Sequence, residues 1–184
     1  MRGPLLSGAL GSAATLDRVV DLVRQHQPIV VLSALWLAET LATEMPVLAL
    51  VEKEKQGAAA RAGRRAKKLA LPLSLVVAAG EVPLAPKRVG AVILDNMMDI
   101  EEVPAAADLL LGLLPSMLPG GLVISLDATK NPHLEARVAE IFLAASLTHI
   151  RQLRPKDGAL LTLASVPRQE VIEARTAALV TANP

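Results

Sequence analysis

The chain of 184 residues has no cysteine, no tyrosine, one tryptophan and one phenylalanine. Without thiols there is no disulfide framework, no thiolate zinc site and no cysteine nucleophile. Nothing demands an oxidising compartment, and the cytoplasm is the expected location. So few aromatics leave almost no platform on which nucleic-acid bases stack. The formal charge of +1 supplies no long-range field toward nucleic acid or an anionic membrane, so neither is an expected partner. No stretch approaches the roughly 18 to 20 uninterrupted apolar residues of a bilayer span. Gly3, Pro4, Ser7, Gly8, Gly11 and Ser12 break up the apolar residues at the start, and Asp17 follows, so no cleaved leader is expected. The last absence is local. Ile29-Val30-Val31-Leu32 runs directly into Ser33-Ala34-Leu35-Trp36-Leu37-Ala38-Glu39, where a nucleotide-binding α/β protein turns through glycines.

What is present is 52% hydrophobic, mostly Leu, Val, Ala and Ile, and one domain over 1–184 is expected, with a mobile, Gly-rich start at 1–11. Leu16, Val19, Val20 and Val23 share one face of an opening helix, with Ser12 or Thr15 as its N-cap. Four apolar runs read as buried strands: Ile29 to Leu32, Val47 to Val51, Leu73 to Val77 and Gly90 to Leu94. Helices are predicted from Ala34 to Glu44, Lys55 to Leu69 and Ala105 to Leu118. A fifth strand, Leu122 to Leu126, ends at Asp127, and Leu134 to Ala145 has helical spacing. Thr148 to Leu153 and Ala159 to Ala164 form a hairpin about Asp157-Gly158, and a last helix, Gln169 to Leu179, lies beyond Pro167. Repeated βα units closing in a hairpin predict a doubly wound, mostly parallel sheet with an antiparallel C-terminal edge.

This order, with its strand endings, resembles the class I methyltransferases that use S-adenosylmethionine, whose seven-stranded sheet has its last strand inserted antiparallel. The resemblance runs from about Leu16 to Val166 and rests on several short motifs in order. Glu52 stands where that family ends its second strand in an acid for the ribose hydroxyls. Gly80-Glu81, with Pro83-Leu84 after it, is similar to the acidic segment near the adenine amine. Val89 to Asp95 looks like the fourth strand and the start of the substrate-facing loop. Met117-Leu118-Pro119-Gly120-Gly121 is similar to the helix ending that introduces the fifth strand, and it supports the fold without bearing on chemistry. The resemblance implies a cofactor set of Glu52, Glu81, Ser33 and Leu35, with S-adenosylmethionine as the cofactor and Asp95 as a candidate catalytic residue.

The first motif departs from the family, which carries alternating glycines there so that the backbone can approach the methionine part of the cofactor. Val31, Ser33, Leu35 and Leu37 occupy those places, and a Cβ at each blocks close approach and disfavours left-handed backbone. Leu35, Trp36 and Leu37 are expected to fill the pocket instead. Plainer accounts exist for the acids: Glu52 as a solvated strand end and Glu81 as a loop carboxylate.

Asp95-Asn96, Asp127 and Asn131 form a possible hard-cation set at the ligand-binding edge, similar to that of catechol-type O-methyltransferases, but Ala128 breaks the Asp-Asn pair and no metal is expected. Arg61, Arg64, Arg65, Lys67 and Lys68 read as the solvated face of a helix. His26, His133 and His149 have no metal or triad spacing. Asp99, Glu101 and Glu102 suit a substrate loop or a helix N-terminus equally. Val171, Ile172, Ala174, Ala178 and Leu179 give the last helix an apolar face for its own sheet or a second copy.

Two functions follow from different classes. One is a methyltransferase-fold protein without normal S-adenosylmethionine use, acting as a binding or assembly module with a protein partner or as a homo-oligomer. The other is an active methyltransferase with a divergent cofactor loop. A dinucleotide-binding protein is the third and needs the same missing glycines.

Overall fold

The computed structural model describes residues 12–78, 84–97, 102–128, 132–155 and 159–167. The predicted helix from Gln169 to Leu179, and Glu81, Asp99, Glu101 and Asn131, lie outside the described residues.

Seven strands form one sheet in the order β3-β2-β1-β4-β5-β7-β6. They are β1 Ile29–Leu32, β2 Val47–Glu52, β3 Leu73–Ala78, β4 Val89–Asp95, β5 Met117–Asp127, β6 Thr148–Leu153 and β7 Leu160–Ser165. β1 to β5 run parallel to one another, and β7 is antiparallel to both β5 and β6. The helices are α1 Ala13–Val23, α2 Leu35–Leu41, α3 Gln56–Lys68, α4 Val103–Leu113 and α5 Pro132–Ala144. A doubly wound α/β sheet with an antiparallel edge is therefore the observed architecture.

The two faces of the central strands account for their continuous apolar runs. In β1, Ile29 and Val31 join a core with α1, α2 and α3 on one side, while Val30 joins a core with α4 and α5 on the other. A parallel strand covered on both faces has no solvent side to mark with polar residues. Small residues bring α3 close to the sheet: Ala59, Ala62 and Ala66 are buried, and a Cβ on Gly63 would stand 3.2 Å from Leu75. Ser12 caps α1, its Oγ accepting from the Thr15 backbone N–H at 3.2 Å.

The structure corrects the reading of Leu118-Pro119-Gly120-Gly121. The helix expected to reach Leu118 stops at Leu113, a single 3-10 turn covers Leu114–Ser116, and β5 begins at Met117. Pro115 has no N–H to continue the helix. The glycines sit inside β5 as an irregularity: Val89 pairs with Met117 and the next pair is Ala91 with Leu122. Gly120 turns through a φ of 77° and donates its N–H to Val166 O, while Val166 N donates to Gly121 O. The motif is thus a bulge held by β7's end rather than a helix terminus.

Candidate functional site

The carboxyl ends of β1, β2 and β4 are where open α/β sheets bind ligands. Three segments meet there. β1 leaves the sheet through Ser33, whose φ is 59°, and Ala34 N–H closes a tight turn onto Leu32 O at 2.7 Å. The missing glycine has therefore not prevented a left-handed turn; Ser33 adopts it with a Cβ in place. The Ser33 N–H donates to Leu50 O of β2 at 2.8 Å, which anchors the turn.

Glu52, the last residue of β2, accepts a hydrogen bond from Ser33 Oγ at 3.0 Å and lies 3.5 Å from the Lys55 ammonium. Ser33 and Glu52 are thereby brought together as the sequence suggested. Lys55 carried no signal of this role, being one cation in a run of alternating charges.

Asp95 ends β4, next to β1. Its Oδ2 accepts from the indole Nε1–H of Trp36 at 3.3 Å, so the first turn of α2 is fastened to the end of β4. Leu35 and Trp36 are half-buried against the core beneath α2. Leu37 departs from its expected place: it is fully buried inside that core and does not enter the edge of the site. Asn96 follows at a φ of 52°, a conformation that asparagine tolerates well. Its N–H donates to Leu126 O at 2.8 Å, and its Oδ1 accepts from Ala128 N–H at 3.4 Å.

Between these segments and α4 lies a cleft of about 280 Å3 whose walls include Ser33, Glu52, Lys55, Asp95, Asn96 and Met97. Its Glu52 wall is exposed to solvent.

Asp127 is not brought to Asp95. The residue paired with Asp95 is Leu126, so Asp127 projects from the opposite face of the sheet. Asp127 is fully buried and accepts from Ser125 Oγ at 2.6 Å. Among the described residues, no three His, Asp or Glu side chains converge as a metal site would require. Glu102 stands at the N-cap of α4 without a side-chain capping bond. The cationic residues of α3 are exposed, and Arg65 is engaged by Glu39 of α2 through Nε at 3.0 Å and Nη2 at 2.8 Å. That hydrogen-bonded carboxylate holds the Arg65 guanidinium above its ordinary pKa. Among the described residues no helix is long and apolar enough to cross a membrane.

No protein-family profile matches the chain, and no curated protein matches it in sequence. Solved structures do match in shape. A candidate O-methyltransferase of Nostoc punctiforme is 15% identical with a TM-score of 0.64, over 82% of this chain and 55% of its own. The chain thus spans little more than half of that protein. An S-adenosylmethionine-dependent methyltransferase of Aquifex aeolicus is 14% identical with a TM-score of 0.59, over 84% of this chain and 98% of its own. The [4+2]-cyclase SpnF is 12% identical with a TM-score of 0.63, over 90% of this chain and 88% of its own. The fold is that of the class I S-adenosylmethionine-dependent methyltransferases. The cyclase among its neighbours is a reminder that a fold does not fix the reaction performed on it.

Proposed function

We propose that this chain uses the methyltransferase fold as a scaffold, without ordinary use of S-adenosylmethionine, and acts in the cytoplasm as a non-catalytic binding or assembly module. Its partner is a second protein, such as an active enzyme, or another copy of the chain. The observation that carries the reading is the hydrogen bond from Trp36 to Asp95, which fastens α2 across the gap between the ends of β1 and β4. The methionine arm of the cofactor needs bare backbone there, and Ser33 and Leu35 each carry a side chain, while Val31 and Leu37 turn theirs into the core. Glu52 is already engaged by Ser33 and Lys55, so a ribose would compete with both. These residues do not fit the whole cofactor. Leu109 and Leu111 of α4 and Leu143 of α5 are 40%, 42% and 66% exposed, apolar surface of the kind that assembly covers.

A second reading rests on the cleft beside Glu52. It stays open, with an acid and a hydroxyl at the place where the related fold holds a ribose, and this favours an active methyltransferase with a divergent loop.

Calorimetric titration with S-adenosylmethionine and S-adenosylhomocysteine separates the two. A functional pocket gives micromolar binding, on the order of −8 kcal/mol. The scaffold reading expects no saturable heat up to millimolar ligand from folded protein. Saturable binding weakened by Glu52→Ala overturns it in favour of the enzyme.

A further inference from the structure

A second cleft, of about 260 Å3, opens on the α1 side of the sheet, toward the amino-terminal ends of β5 and β6 and away from Ser33 and Glu52. Its floor is apolar, with Leu22 of α1 and Leu163 of β7 among the leucines that form it. Its polar lining is almost wholly cationic or imidazole: Arg18 from α1, His26 from the turn before β1, and His149 and Arg151 from β6. Among the described residues no carboxylate lines it.

Two features set this cleft apart from an ordinary basic surface. Arg18 and Arg151 have no ion-pair partner among the described residues, which is equally true of Arg61, Arg64, Lys67 and Lys68 of α3, but these two line a single cleft with an apolar floor. In addition, β6 is bulged at this point, with three steps from Thr148 to Arg151 facing two on β7, and His149 is held there at a φ of 54°. Such a conformation costs on the order of 1 kcal/mol or more in a non-glycine residue, and bulges commonly re-aim side chains toward a site. Two guanidinium groups lining one cleft give it a positive local potential, which favours an anion there.

We infer that this cleft binds a small amphipathic anion, a carboxylate or phosphate monoester with a short hydrocarbon body. Arg18 and Arg151 take the head group and the leucine floor takes the body. The volume lies just under the roughly 300 to 1,000 Å3 of drug-sized pockets, which limits the ligand to a small one. The inference is independent of whether the Glu52 edge binds a cofactor.

The three histidines supply a built-in control, because His26 and His149 line the cleft and His133 begins α5 elsewhere. Their imidazole proton resonances in the full chain are followed at fixed pH during titration with octanoate, with 1-octanol and with inorganic phosphate. Octanoate is expected to shift two of the three resonances saturably, with 1-octanol at least tenfold weaker. Arg18→Gln and Arg151→Gln are expected to weaken octanoate at least tenfold, and Arg61→Gln to leave it unchanged, all three with unaltered melting. Equal binding of 1-octanol, or indifference to both arginine variants, overturns the inference by reducing the cleft to an apolar dent. Phosphate binding as tightly as octanoate overturns the amphipathic class. Binding that emerges only when the chain is cut after Pro167 overturns it too, since residues 168–184 would then be the occupant.

Discussion

The indole Nε1–H of Trp36 donates to Asp95 Oδ2 across 3.3 Å, joining residues 59 positions apart at the ligand-binding edge of the sheet. Trp36 is also the single tryptophan of the chain, so its fluorescence reports on this edge alone. Asp95→Ala is expected to red-shift the emission as the ring loses its anchor. Trp36→Phe keeps most of the ring volume and removes the donor, at about 0.5 to 1.5 kcal/mol in urea unfolding. Under the scaffold reading, millimolar S-adenosylmethionine leaves the emission unchanged. A saturable spectral change, lost in Glu52→Ala, would mean that the ligand displaces or overlies the indole.

Ser33 bears the backbone cost of a turn that glycine would make freely. Its φ of 59° carries a penalty on the order of 1 to 2 kcal/mol, against about 0.5 to 1 kcal/mol of extra chain entropy for glycine. Ser33→Gly is therefore expected to leave stability unchanged or raise it by up to about 1 kcal/mol, despite losing the exposed bond to Glu52. Ser33→Val, β-branched in a left-handed well, should lose about 1 to 3 kcal/mol. Urea midpoints of the two variants moving in the same direction would show that the turn relaxes rather than stores strain.

Gly90 is required for a different reason. A Cβ there would stand 2.2 Å from His26 O and 2.7 Å from Gln27 O, both backbone atoms that no rotamer change moves away. Gly90→Ala is expected to cost roughly 3 kcal/mol or more, at the upper end of overpacking penalties. Gly112→Ala is the control, since a Cβ at that helical position meets nothing within 4 Å and alanine favours the helix. Equal melting temperatures for the two variants would mean that the segment before β1 yields easily.

The strands were legible because parallel strands buried on both faces are unbroken apolar runs, as in Val47 to Val51. Leu118 to Gly121 was not, because glycine after proline marks a helix end and a bulge alike. The decision came from pairing with Val166, far along the chain. At the site, Glu52 and Ser33 could be read from their places at strand ends. The Trp36 to Asp95 bond could not, since a tryptophan in a helix reads as core and its N–H gives no spacing signal. The separation of Asp95 from Asp127 needed the register of β4 against β5, a one-residue matter that sequence leaves open.

Thr15 ties the first helix to the last described strand. It is fully buried, and its Oγ1 accepts from the Ala159 backbone N–H at 3.1 Å and from Ser12 Oγ at 2.9 Å. Valine has nearly the same shape without the acceptor, so Thr15→Val leaves the buried Ala159 N–H without this oxygen, at about 1 to 3 kcal/mol. In a chain of this size that is a fall of roughly 2 to 4 °C in melting temperature per kcal/mol. Thr15→Ser restores the oxygen and should recover most of the loss, minus a methyl's worth of packing near 1 kcal/mol. Equal destabilisation by valine and serine would assign the effect to packing. Recovery by serine to within that methyl's worth would assign it to the bond that fixes where α1 lies on the sheet, and with it the position of Arg18.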